Sequence, residues 1–165
     1  MKTGMRIFFL LVLLVAGTEW STAQSKEEKK AEKEQAVKEK IESRNYSVDV
    51  NTALPRRGIS IHLTSSYSLE VRNDSLSSWL PYYGRAYSIP YGGGDGLTFK
   101  APIEGYKLSY DKRGTAKIEF TAHTKEDLYE FNILIFTSGS SSISVNMHNR
   151  DSIDFSGELN MKKNK

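Results

Sequence analysis

Between Asn45 and Phe155 apolar and polar residues take turns. Tyr46, Val48 and Val50 alternate with Ser47, Asp49 and Asn51, and Ile59, Ile61 and Leu63 with Ser60, His62 and Thr64. Tyr67, Leu69 and Val71 alternate with Ser68, Glu70 and Arg72, and the same period returns at Ile118–Ala122, Ile143–Met147 and Ile153–Phe155. A period of two places successive side chains on opposite faces of a strand, so each segment predicts one buried and one wetted face. Antiparallel sheets carry that signature; parallel sheets covered on both faces read as continuous apolar runs. Turn residues at Asn73-Asp74, Asp111–Gly114, Ser138-Gly139-Ser140 and Asn149-Arg150-Asp151 join the segments at hairpin length. The expected fold is all-β: an antiparallel meander of about nine strands over residues 45–165. So large a sheet should form a curled sheet, a sandwich or an incomplete barrel, because open twisted sheets of that size curl or split. Phe131–Phe136 is apolar on both faces, which predicts a cover over its outer face.

Residues 24–44 obey a different rule. SKEEKKAEKEQAVKEKIES, from Ser25 to Ser43, is built of strong helix formers, and Glu34 precedes Lys38 by one helical turn. Only Val37 and Ile41 make an apolar face, so the helix should be solvated along most of its length and dock by its end. That end is the expected cover for Phe131–Phe136. Further upstream, Lys2 and Arg6 lead into the ten apolar residues Ile7–Ala16, and Ser21-Thr22-Ala23 supplies small residues. This is the pattern of a signal peptide over residues 1–23, cleaved before Gln24. Ten apolar residues are too few to cross a bilayer, which needs roughly 20. The expectation is an exported chain with no transmembrane segment after cleavage.

Composition narrows the chemistry. The chain has 165 residues, a formal net charge of +3, 11% aromatic residues and no cysteine. That length suits a single core. The missing cysteine removes thiol nucleophiles, disulfides and the attachment point of a bacterial lipoprotein. Without Lys2, Arg6 and Glu19, 21 basic residues face 19 acidic ones, too weak a bias for a nucleic-acid partner. His62, His123 and His148 fall in the polar register of their strands and lack metal-ligand spacing, so neither a metal nor any other cofactor is expected. No G-x-S-x-G elbow is present. Tyr91–Gly96 is glycine-rich but has no lysine and runs into a strand, unlike a phosphate loop.

The stretch LPYYGRAYSIPYGGGDGL, Leu80–Leu97, does not fit either period. A loop this long within a meander is functional or specially ordered. Tyr82, Tyr83, Arg85, Tyr87, Tyr91 and Asp95 are its candidate ligand-binding residues, since tyrosines pair apolar area with a polar tip and Arg85 could clamp a carboxylate. The alternative is structural: the tyrosines plug one end of the sheet and Arg85 tethers them. Arg56-Arg57 marks a second loop that suits an anionic partner or a solvated turn. Two other functions stay open. A hydrolase of envelope glycan or peptide would need residues such as His62, His123, Glu70, Glu119 and Asp95 to converge. A lipocalin-like carrier would need an empty interior.

With LPRRG at Leu54–Gly58, LPYYGRAYS at Leu80–Ser88 and YGGGDGL at Tyr91–Leu97, the mature chain resembles a family of small exported proteins. They carry a domain of unknown function and occur chiefly in Bacteroidetes. The resemblance implies a periplasmic location and supplies no activity and no catalytic residues. It also implies O-glycosylation at Asp74-Ser75-Leu76 and Asp151-Ser152-Ile153. The combined expectation is a non-enzymatic periplasmic module that binds an envelope ligand or protein through residues 80–97.

Overall fold

The computed structural model describes residues 18–88 and 96–162, with side chains from Ser25 onward. The apolar run Ile7–Ala16 and the candidates Tyr91 and Asp95 lie outside the described residues. Helix α1 (Thr18–Glu42) begins the described chain. Up to Gln35 it belongs to a unit of its own, a solvated helix with a Lys30–Glu34 ion pair at 3.9 Å. Among the described residues no helix is long and apolar enough to cross a membrane.

From Ala36 onward the chain forms the second unit. Eight strands follow: β1 (Asn45–Pro55), β2 (Ile61–Arg72), β3 (Ser75–Leu80), β4 (Leu97–Tyr110), β5 (Ala116–His123), β6 (Leu128–Ile135), β7 (Ser140–Met147) and β8 (Ile153–Leu159). Each pairs antiparallel with the next, and β1 pairs with β8, so the meander closes into a barrel. Closure pairs the first and last strands with each other, so neither is left as an edge strand. The described strands are thus eight rather than about nine. Ile61–Leu63 and Tyr67–Arg72 are two ends of one strand. Leu97–Phe99 and Tyr106–Tyr110 are likewise joined, through a register shift between Glu104 and Lys107. That bulge bends β4 so that its first half pairs with β3 and its second with β5.

The alternation sorts as expected. Val48, Leu69, Ile118, Phe131, Val145 and Phe155 are buried, while His62, Glu119 and His148 are exposed. Aromatic rings fill the interior in contact with one another. Phe99 meets Tyr129 at 4.4 Å between centroids, Phe120 meets Phe131 at 5.1 Å, and Phe120 meets Tyr106 at 6.0 Å. Such pairs add to the burial of their area. At the closing seam β1 shifts register between Val50 and Thr52, and Gly157 lies opposite Val50. A Cβ at Gly157 would overlap the Asp49 carbonyl oxygen, so the seam requires a glycine there.

One expectation fails. The helix end does not cover the outer face of β6, where Leu134 and, just beyond the strand, Phe136 are 37% and 44% exposed. Instead Val37 and Ile41 are buried in the barrel's own apolar core. Val37 approaches Gly139 in the β6–β7 turn. Arg44, at φ 52°, turns the chain out of the helix and stacks 4.3 Å from the Tyr106 ring centre. The helix end therefore closes one end of the barrel, where burying two side chains in an existing core gains more than shielding a half-exposed strand face.

Candidate functional site

At the opposite end lie the connections 56–60, 124–127 and 148–152 and the described parts of the long loop, 81–88 and Gly96. Hydrogen bonds fix three of them to one another. The buried Asp127 carboxylate accepts from the backbone N–H of Leu128 at 2.9 Å, His148 at 3.1 Å and Asn149 at 2.9 Å. Ala86 and Arg150 form an antiparallel bridge, with Tyr87 N–H donating to Asn149 O at 2.8 Å and Asp151 N–H to Arg85 O at 2.9 Å. The described part of the long loop is therefore pinned at Ala86 to the connection before β8.

Its candidates divide on this scaffold. Tyr82 is half-buried and packs on the core, with its hydroxyl shared between the Arg85 carbonyl at 2.9 Å and the Asp151 carbonyl at 3.1 Å. Burial raises its pKa. Gly84 makes room for this fold-back, since a Cβ there would lie 2.5 Å from the Tyr82 hydroxyl. Tyr83 is also half-buried against the core. Arg85 is exposed, and Tyr87 is 68% exposed although its hydroxyl donates to Asp151 Oδ1. That hydrogen bond raises the Tyr87 pKa and holds the Asp151 carboxyl below the ordinary carboxylate value. Arg57 and Arg56 add to the depression of Asp151. The internal tether is Arg150, not Arg85. Arg150 is 6% exposed, pairs with Glu126 at 3.1 Å and lies 5.6 Å from the Tyr82 ring centre. Sequence reasoning read Asn149-Arg150-Asp151 only as the turn into the last strand, and nothing local in it distinguishes Arg150.

The other chemistry-bearing residues stay apart. His62 and Glu70 stand on β2, and His123 and Glu119 on β5, with β3 and β4 between them. Glu70 accepts from Arg72 at 2.7 Å. Among the described residues no three His, Asp or Glu side chains gather as a metal-binding group.

The fold and this end together define an eight-stranded up-and-down barrel, closed below by a helix and topped by a pinned aromatic loop with a basic rim. The chain belongs to the family described as a domain of unknown function (DUF4251), whose model matches residues 28–159. No curated protein matches the chain. Its fold is similar to the crystal structure of a DUF4251 family protein from Bacteroides eggerthii, at 17% identity and a TM-score of 0.60 over 77% of this chain and 86% of that one.

Proposed function

We propose that this protein is an exported periplasmic binding module that recognises an envelope ligand or protein at the loop end of the barrel. One observation carries the reading: Arg85 and Tyr87 present exposed side chains on backbone fixed by the Ala86–Arg150 bridge. Recognition gains when exposed side chains need little ordering, and tyrosine and arginine are the residues enriched where binding energy concentrates. Arg56 and Arg57, at the same end of the barrel, add positive charge, which favours an acidic partner.

The alternatives have less support. The carrier reading needs interior space, and Tyr46, Phe120, Tyr129, Phe131 and Phe155 are buried inside the barrel. The hydrolase reading needs converging groups, and its described candidates stand on separated strands.

A photo-crosslinking residue at position 87, in the native host, should give a discrete adduct that disappears when Arg56, Arg57 and Arg85 become alanine. A crosslinker at Leu134, on the far side wall, should not. Equal adducts from both positions, or none from position 87, would overturn the reading. The intact mass of the periplasmic protein should begin at Gln24, and recovery of the chain in the cytoplasm would remove the location.

A further inference from the structure

Beside the Gly96 end of the long loop, the barrel wall has a slot. Residues Leu97–Pro102 of β4 pair with β3, but β5 reaches only as far as Ala122 opposite Ile103. The edge of β4 that faces β5 therefore has no strand partner over those residues. A cleft of about 530 Å³ opens there. Small-molecule sites occupy roughly 300–1,000 Å³, so it is of useful size.

Its lining combines three chemistries. Phe99 and Tyr129, with ring centres 4.4 Å apart and planes tilted by 30°, form an apolar floor with Phe99 only half-buried. Lys100 and Lys125 also line the cleft, both exposed, and neither takes part in an ion pair among the described residues. Glu126, the lining carboxylate, is already engaged by Arg150 at 3.1 Å. Thr98 adds a hydroxyl, and its partner across the strand pair is Trp79, which is 56% exposed on the outer face. Directly paired residues hold their Cβ atoms about 5 Å apart, so Trp79 stands next to Thr98 on the neighbouring strand, outside the lining itself but close enough to report on an occupant.

We propose that this slot binds an acidic sugar, with a ring face against Phe99 and the anionic group met by Lys100 and Lys125. A sugar ring has an apolar face for the Phe99 ring and hydroxyls for Thr98 and the unpaired edge of β4. Its acid group answers two lysines that lack a carboxylate. The site uses none of the residues that carry the proposed function, so either can fail alone.

The chain has two tryptophans, and Trp20→Phe leaves Trp79 as the sole indole. In that background, fluorescence is titrated with glucuronic acid, glucose 6-phosphate, glucose and benzoate at fixed ionic strength. At least one acidic sugar should give a saturable change below about 10 mM, with glucose and benzoate roughly tenfold weaker or more. Which acid binds better tells carboxylate from phosphate. The double variant K100A/K125A should lose roughly tenfold in affinity while keeping its melting temperature. R85A/Y87A should bind unchanged. No saturable change with either acid would overturn the proposal, as would glucose or benzoate matching them, or undiminished binding by K100A/K125A.

Discussion

At the helix end of the barrel, the connections Asn73-Asp74, Asp111–Thr115 and Phe136–Gly139 leave room for Val37 and Ile41 to enter the core. At the loop end, longer connections are held by backbone hydrogen bonds and by Asp127, while Arg85 and Tyr87 face water. The first end is closed by burial; the second is ordered without burying its most chemically useful side chains. Apolar burial supplies most of the favourable term in folding, whereas a pinned loop supplies geometry. Stability and recognition are thus separated along the barrel axis, and substitutions should reveal the separation.

The largest effects belong to the wall and core that both ends share. Gly157→Ala would force β1 and β8 apart at the seam and should cost about 3 kcal/mol or more, or prevent folding, as read by urea unfolding. Phe131→Ala, which removes a ring stacked on Phe120, should cost about 3–5 kcal/mol in the same assay. Ile41→Ala tests the helix end, with an expected loss of about 2–4 kcal/mol. At the loop end the costly change is Glu126→Ala. It leaves the Arg150 guanidinium buried without its partner and should cost about 1–3 kcal/mol.

The two ends should also respond to opposite extremes of pH. Burial first, and the nearby Glu42 carboxylate second, push Tyr110 from 10.0 up to about 12. The folded state therefore favours the protonated phenol. Its contribution is full below pH 10 and is lost as pH rises from 10 to about 12, loosening the contact between Glu42 and β4. Asp151 has the reverse sign. Its depressed value means that its contribution is present above pH 3.8 and is lost as pH falls through the lower folded value. Amide exchange should accelerate first at Tyr87 and Asp151 in acid, and first at Arg44 and Tyr110 in alkali. Tyr87→Phe should make the acid response occur at higher pH, because it removes the main cause of the Asp151 depression.

Much of this architecture is readable from periodicity alone. Phe120 and Val145 turn inward while His62 and Glu119 turn outward, because a residue's face follows from its place in the alternation. Closure was not readable, since the β1–β8 pairing joins segments about a hundred residues apart and leaves no local pattern. The strand count was overestimated for a related reason. Gly105 looks like a break in sequence, but in the sheet it absorbs a bulge within one long strand. The exposed Leu134 and Phe136 show that an apolar outer position does not require a cover. In the long loop, composition identified the tyrosines but not their division of labour. Tyr82 and Tyr87 differ only through the bridge to residues 149–151, which turns one over the core and leaves the other in water.

The most direct test of this separation is urea unfolding of R85A/Y87A beside Ile41→Ala. Removing the two exposed loop side chains should move the stability by no more than about 0.5 kcal/mol, while the helix-end truncation lowers it several-fold more. A double variant that unfolds as readily as Ile41→Ala would mean that Arg85 and Tyr87 are packing residues, and the loop end would then be a second closure rather than a recognition face.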